Sequence, residues 1–139
     1  MSLTKKIFLV DDDPTCAFLA KKIIANITVI TRIGTIVSEF CDGQKAIDFI
    51  KYNINYTEEL PDIIFLDINM PVLDGWGFLE QFDVIKLQIK KEVKLYVVSS
   101  SVSPDDLMRA KEFSMVTDFI RKPIHTREIV EILSSISNT

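Results

Sequence analysis

Short apolar runs alternate with longer helical patterns along this chain, and this alternation constrains the fold more than any other feature. Uninterrupted runs of mostly β-branched, leucine and aromatic residues cover residues 7–10, 63–66, 95–98 and 119–120. Such runs are typical of strands that are buried on both faces, as in a parallel sheet. Thr35–Phe40 alternates polar and apolar residues instead, which predicts an edge strand.

Helix signals occupy the segments between these strands. Asp13-Pro14 and Ser103-Pro104 each supply a capping side chain followed by proline at the first helical position. Asp42 and Asp74, each followed by glycine, precede two further helical patterns. We assign the β-branched segment 27–33 to the end of the first helix and the following loop. The apolar stripes contain Ala17, Leu19, Ala20, Ile23 and Ile24; Ala46, Ile47, Phe49 and Ile50; Phe78, Leu79, Phe82 and Ile85; and Ile129, Ile132, Leu133 and Ile136.

Strict alternation of strands and helices predicts an α/β fold. Units of this kind form a parallel sheet with right-handed crossovers and helices on both faces. The length of 139 residues, with 47% apolar and 26% charged residues, suits a single domain over residues 1–139. Residues 1–3 are also compatible with a remnant of cloning, and no further domain is expected after Asn138-Thr139.

Charge and hydropathy exclude several classes of partner. The net charge of −4 argues against a nucleic-acid surface, which needs clustered basic residues. We see no apolar run of the length that spans a bilayer and no leader peptide at the start. Cys16 and Cys41 lack the spacing of a metal site and are predicted to be reduced thiols. The sequence therefore predicts a cytoplasmic protein with no nucleic-acid or membrane partner.

Polar residues follow each of the central strands at once. Asp11-Asp12-Asp13, Asp67, Ser99-Ser100-Ser101 and Arg121-Lys122-Pro123 come directly after the four apolar runs. In a parallel sheet these ends lie at one edge, where ligands bind. If the first and third strands are neighbours, the acidic residues converge, with the serine on one side and the lysine on the other.

The chemistry of this group points to phosphoryl transfer. Three carboxylates repel one another unless a cation is present, and oxygen ligands without histidine or thiolate suit Mg²⁺. An ammonium and a hydroxyl beside a carboxylate suit phosphoryl transfer, with the carboxylate as nucleophile. Each feature has an ordinary structural explanation on its own, such as a solvated turn, a helix cap or a surface lysine. Their occurrence together at four strand ends favours the functional interpretation.

Over nearly its whole length the sequence resembles the receiver domains of response regulators, the CheY-like superfamily of two-component phosphorelay signalling. The resemblance is carried by residues 8–14 (FLVDDDP), 65–75 (FLDINMPVLDG), 97–101 (VVSSS) and 119–123 (FIRKP). It implies a flavodoxin-like (βα)5 fold, doubly wound, with strand order 2-1-3-4-5. That order is taken from the family, which is itself a standard example of such sheets, and it does not follow from the pattern of apolar runs.

The resemblance also implies a role for each site residue. Asp67 is expected to accept the phosphoryl group, and phosphorylation and dephosphorylation are self-catalysed rather than enzymatic turnover of a substrate. Mg²⁺ is expected on Asp12 and Asp67 directly, on Asp11 through water, and on the backbone carbonyl of Asn69.

The remaining implied roles concern the phosphoryl group and the switch. Ser99 and Lys122 are expected to bind the phosphoryl oxygens, with a cis peptide bond between Lys122 and Pro123. Ser99 and Phe119 are expected to form the switch, although Phe119 stands where tyrosine is common in the family. Met115-Val116 replaces a loop glycine, and the segment between the first helix and second strand is long.

By the same resemblance, a histidine kinase or histidine phosphotransfer protein is expected to dock near the first helix and the Lys122 loop. A downstream protein target is expected on the face of the fourth helix, fifth strand and fifth helix. That face includes Arg109, Lys111, Glu112, Phe119 and Arg127.

Two other functions remain open at this point. One is an Mg²⁺-dependent aspartyl-phosphate phosphatase or phosphotransferase that acts on small molecules, although Asn69 stands where such phosphatases place a second aspartate. The other is a flavodoxin-like cofactor binder, although the acidic loop after the first strand repels the phosphate of FMN. Fold alone cannot choose among these functions.

Overall fold

The computed structural model describes residues 4–70, 73–100 and 103–137, without the side chains of residues 136 and 137. The predictions for residues 1–3, 71–72, 101 and 138–139 and for the Ile136 side chain lie outside this part. The strands are β1 (Lys5–Val10), β2 (Thr35–Phe40), β3 (Ile63–Asp67), β4 (Lys94–Ser99) and β5 (Val116–Arg121). The helices are α1 (Pro14–Thr31), α2 (Gly43–Tyr52), α3 (Gly75–Ile85), α4 (Pro104–Lys111) and α5 (Thr126–Ser137).

All five strands lie in one parallel sheet with the order β2-β1-β3-β4-β5. The predicted α/β fold and strand order are confirmed, and β2 is an edge strand as its alternating pattern predicts. Because β1 and β3 are direct neighbours, with Val10 paired to Leu66, the residues that follow them emerge side by side. The strand order therefore places the predicted acidic residues at one edge.

The sheet separates two hydrophobic cores. Alternate residues of the central strands point to opposite faces, so that Ile7 and Leu9 pack with α1 and α5 while Phe8 and Val10 pack with α2, α3 and α4. The same alternation places Asp11, which follows β1, and Asp67, which ends β3, on the face that α1 and α5 cover.

Capping residues start the helices as the sequence predicts. Asp13 accepts hydrogen bonds from the backbone N–H groups of Thr15 and Cys16, and Pro14 opens α1. The predicted stripe of α1 is wrong at Leu19, which is 50% exposed, because this residue lies beside the buried row rather than within it. The long segment before β2 is mostly helix, since α1 continues to Thr31 and ends at Arg32 in the left-handed conformation.

Two other expectations need correction. Val116 begins β5 instead of lying in a loop. The missing loop glycine agrees with the end of α4, where Glu112 is in the right-handed helical region and not in the left-handed one. By length and composition α1 could cross a membrane, so the prediction that no apolar run is long enough is wrong for residues 14–31. This is weak evidence for a membrane span, because helices that pack on a core pass the same test; the cytoplasmic location stays a prediction.

Candidate functional site

Three carboxylates converge at the carboxyl edge of the sheet. Asp11 and Asp12 follow β1, Asp67 ends β3, and one oxygen of each lies within 4.8 Å of the others. Asp67 is only 5% exposed, whereas Asp12 is open to solvent. The predicted convergence is present, and it combines one buried carboxylate with one that faces the entrance.

Lys122 bridges two of these carboxylates from the loop after β5. Its Nζ lies 2.8 Å from Oδ2 of Asp11 and 3.3 Å from Oδ2 of Asp67. The Lys122–Pro123 peptide bond is cis, as predicted, and the backbone N–H of Lys122 donates to the carbonyl oxygen of Ser99 over 2.9 Å. The ion pair with Asp11 is the shorter one, which no pattern in the sequence predicts.

Backbone N–H groups hold the other oxygens of the same two carboxylates. Asp11 Oδ1 accepts from the N–H of Asp13 over 2.9 Å, and Asp67 Oδ1 accepts from the N–H of Asn69 over 3.1 Å. Each of these carboxylates is therefore oriented on both sides, by an amide on one oxygen and by Lys122 on the other. Such double support fixes a reactive group without help from a ligand.

Burial dominates the electrostatics of the site. It raises the pKa of Asp67 to about 6, against the N–H of Asn69 and the positive charge of Lys122, which both lower it. Burial by itself lowers the pKa of Lys122, but the hydrogen bond and charge of Asp11 together with the charge of Asp67 outweigh it, so this pKa lies above its usual value. At neutral pH Asp67 is mainly ionised and Lys122 is protonated.

The donor set fits a hard divalent cation. Three carboxylates and one ammonium leave two formal negative charges uncompensated within a small volume. All three protein groups offer oxygen, and no histidine belongs to the cluster, which matches the preference of Mg²⁺. The N–H of Asn69 already binds Asp67, while the use of its carbonyl as a ligand stays a prediction.

The two predicted switch residues lie on neighbouring strands. Ser99 ends β4 one position beyond Val98, the residue paired with Asp67, and it is fully buried. Phe119 lies in β5, is half buried, and packs against the core under α2, α3 and α4. Ser99 thus ends the strand next to that of Asp67, whereas Phe119 lies one strand further away, in β5.

Sequence reasoning missed two features beside the site. An apolar cavity of about 150 Å³ separates α1 from the loop after β5, lined by Leu19, Ile23 and Ile124 and bordered by Asp67 and Lys122. The sequence would indicate this cavity only if the buried face of α1 were predicted without Leu19. The second feature is the guanidinium of Arg109, which lies 4.5 Å from the ring centroid of Trp76.

Comparison with known proteins agrees with this geometry. The chemotaxis protein CheY of Thermotoga maritima is 29% identical over 134 residues, which cover 96% of this chain and 98% of CheY. The sensor histidine kinase CheAY of Helicobacter pylori is 29% identical over 117 residues, 84% of this chain but only 13% of that longer protein.

A solved structure is also similar. The phosphorylated cyanobacterial phytochrome response regulator RcpA superimposes with a TM-score of 0.71 at 28% identity, over 97% of this chain and 92% of that one. The family model of the response regulator receiver domain matches residues 7–134, which include the whole acidic cluster and Lys122. With this match, five parallel strands in the order 2-1-3-4-5 and the acidic edge, the chain belongs to the response regulator receiver domain family of two-component signalling.

Proposed function

We propose that this chain accepts a phosphoryl group on Asp67, with the help of Mg²⁺, and passes the signal to a protein partner by a conformational change. The observation that carries the proposal is the arrangement of Asp67, Asp11, Asp12 and Lys122 at one sheet edge, with Lys122 Nζ within 3.3 Å of Asp67. The phosphoryl donor is a histidine kinase or a histidine phosphotransfer protein. The protein is a phospho-acceptor rather than an enzyme with a separate substrate.

The proposed reaction is an in-line displacement at phosphorus. An oxygen of Asp67 forms the new bond to phosphorus while the bond from phosphorus to the donor's imidazole nitrogen breaks. The electron pair of the broken bond stays on that nitrogen, which then takes up a proton. The product is an aspartyl phosphate, so the deprotonated form of Asp67 is the reactive one.

The remaining residues would support this displacement electrostatically. Mg²⁺ on Asp12, Asp67 and the Asn69 carbonyl, with Asp11 through water, would neutralise charge on the phosphoryl oxygens. Lys122 would transfer its contact from the Asp67 carboxylate to a phosphoryl oxygen, because the carboxylate loses its negative charge when it bonds to phosphorus and the phosphoryl oxygens carry charge instead. The hydroxyl of Ser99 would donate to a second phosphoryl oxygen.

The surface beside α1 supports docking of the donor protein. Phe18 and Leu19 are 57% and 50% exposed on α1, and the apolar cavity next to Leu19 opens toward Asp67 and Lys122. An exposed apolar patch of this kind at the entrance of a charged site is typical of a protein–protein interaction surface. A helix of the donor laid across this surface would bring its histidine to Asp67.

The signal is proposed to leave through α4, β5 and α5 to a downstream protein. Phosphorylation adds a charge of about −1.5 to −2 and strong acceptor oxygens beside Ser99. Movement of Ser99 toward these oxygens would open space for Phe119, which is half buried in β5. With a net charge of −4, nucleic acid is not among the proposed partners.

Intact-mass measurement after incubation with acetyl phosphate and Mg²⁺ tests the acceptor. The wild-type protein should gain one phosphoryl group, and Asp67→Asn should gain none. Asp48→Asn, which changes an exposed carboxylate on α2, is the matched control and should label like wild type. Labelling of Asp67→Asn at the wild-type rate would disprove the assignment.

Mg²⁺ dependence has a separate readout in thermal stability. A ligand that binds only the folded state raises the melting temperature by mass action. Mg²⁺ should therefore raise the melting temperature of wild type, and Asp12→Ala should lose most of that increase. Release of many phosphate ions per protein molecule from small phosphomonoesters, lost in Asp67→Asn, would favour the small-molecule phosphatase instead.

A further inference from the structure

The start of α3 is packed directly against the backbone of the proposed acceptor. The N–H of Gly75 donates to the carbonyl oxygen of Ile68 over 3.2 Å. A Cβ atom placed on Gly75 would lie 2.5 Å from Cα of Ile68 and 2.8 Å from the carbonyl oxygen of Asp67, so no larger residue fits. Any shift of the backbone at residues 67 and 68 is therefore transmitted to the first turn of α3.

The next residue, Trp76, links this turn to α4. Its indole is 8% exposed and stacks on Phe113, which follows α4, with ring centroids 6.5 Å apart and planes at 26°. The guanidinium of Arg109 lies on the ring with its carbon 4.5 Å from the centroid, within the range of a cation–π interaction. Trp76 is thus in contact with both the body and the end of α4.

Apolar burial holds α4 only weakly. Ala110 is its one buried residue among Pro104–Lys111, while Leu107 and Met108 are 37% and 68% exposed. A short helix with a single buried side chain has little apolar burial to fix its position. The contacts of Arg109 and Phe113 with Trp76 are therefore a large part of what sets the position of α4 relative to α3.

We propose that Arg109 and Trp76 are positioning residues that hold α4 in its unphosphorylated arrangement and oppose the change that loading of Asp67 produces. This inference rests on the proposed phosphorylation of Asp67. Backbone adjustment at Asp67 and Ile68 moves Gly75 and Trp76, and the optimal position of the indole under Arg109 is lost. A contact that is stronger in one state shifts the equilibrium toward that state, by the difference between the contact's free energies in the two states.

Intrinsic fluorescence is a direct test, because Trp76 is the sole tryptophan of the chain. The probe is beryllofluoride with Mg²⁺, a phosphoryl mimic, titrated while Trp76 emission is recorded. Arg109→Gln removes the cation, and an exposed cation–π interaction of ordinary strength corresponds to a shift of about two- to fivefold. Arg109→Gln should therefore reach half-saturation at a beryllofluoride concentration lower than wild type by about that factor.

The second readout does not depend on the indole. The initial rate of labelling by acetyl phosphate, measured by intact mass, should rise by about the same factor in Arg109→Gln, because the acceptor-competent arrangement is more populated. Arg109→Lys keeps a cation without the planar guanidinium and should fall between wild type and Arg109→Gln. Lys90→Gln is the matched control, which removes an exposed cation outside α4 and outside the proposed docking faces, and it should behave like wild type.

The outcomes separate the two proposals. If wild type becomes phosphorylated on Asp67 but Arg109→Gln matches it in half-saturation and labelling rate, the positioning role is wrong and the acceptor assignment stands. The positioning role is also wrong if emission of Trp76 does not respond to beryllofluoride in wild type. If acetyl phosphate adds no phosphoryl group to wild type at all, the proposed function fails first.

Discussion

Helices α3 and α4 begin in the same way but are held by the protein to very different degrees. Asp74 caps α3 through the N–H of Gly77, and Ser103 caps α4 through the N–H of Asp106. In α3 the buried residues are Gly75, Trp76, Phe78, Leu79, Phe82 and Ile85, whereas α4 buries only Ala110 among Pro104–Lys111. Capping residues therefore determine where a helix starts, while the number of buried side chains determines how firmly the helix is held against the core.

The difference matters because both helices border the acidic edge. The first turn of α3 lies against the backbone of Asp67 and Ile68 and helps to fix the proposed acceptor. The α4 helix begins beyond the end of β4, where Ser99 lies, and Ala110 is the one residue among Pro104–Lys111 that is buried in the core. One side of the site is thus fixed to the backbone of the acceptor and moves only with it, and the other side is able to respond by itself.

The largest expected effect comes from a cavity in the anchored helix. Phe78 is completely buried in α3, so Phe78→Ala should lower the free energy of unfolding by about 3–5 kcal/mol. Met108→Ala, at a position 68% exposed on α4, should change it by about 0.5 kcal/mol or less. Urea unfolding of both variants measures the contrast, and similar losses in the two helices would remove the distinction between them.

A second prediction concerns the electrostatic cost of holding Asp67 in place. Burial raises the pKa of Asp67 from 3.8 to about 6 in the metal-free protein. The folded state then binds a proton more tightly than the unfolded state, so stability should fall as pH rises from about 4 to about 6 and level off above. Asp67→Asn lacks this loss and should melt several degrees higher than wild type at pH 7 in EDTA.

The direction of this pH effect on stability can be checked within one experiment. Titration of other groups affects both proteins alike, so the difference in melting temperature between Asp67→Asn and wild type should be small near pH 4 and largest above pH 6. Mg²⁺ should reduce the difference at pH 7, because it compensates the charge that only wild type carries there. A wild-type protein that is more stable than Asp67→Asn at pH 7 in EDTA would contradict this account.

The sequence was sufficient for the frame of the fold because its signals were local and redundant. Apolar runs defined the strands, and capping pairs such as Asp13-Pro14 defined helix starts, so the parallel α/β architecture followed from pattern. The strand order came from the family resemblance and was confirmed. Once β1 and β3 were neighbours, the meeting of Asp11, Asp12 and Asp67 followed from sheet geometry.

What the sequence could not provide depends on side-chain direction and on contacts between elements. The predicted buried stripe includes Leu19 because hydrophobicity alone does not distinguish two adjacent apolar positions of a helix, and Leu19 is exposed in the structure. The ion pair of Lys122 with Asp11 and the stacking of Arg109 on Trp76 join residues far apart in the chain, at distances that no local pattern encodes. The functional roles of the site residues themselves remain predictions.

The smallest expected effect compares the two caps. Removal of a capping side chain costs about 1 kcal/mol of helix stability, whether the change is Asp74→Ala in α3 or Ser103→Ala in α4. In α3 this loss should appear in full in the global free energy of unfolding, because α3 cannot leave the core without unfolding the domain. In α4 the global loss cannot exceed the free energy of opening that helix alone, which a single buried alanine keeps small. We therefore expect Ser103→Ala to lower global stability by less than about 0.5 kcal/mol while amide hydrogen exchange accelerates across residues 107–111. Asp74→Ala should show the reverse, with a measurable global loss and little selective exchange in α4. If Ser103→Ala costs as much global stability as Asp74→Ala, then α4 unfolds together with the core, and the division into a fixed and a responsive side is wrong.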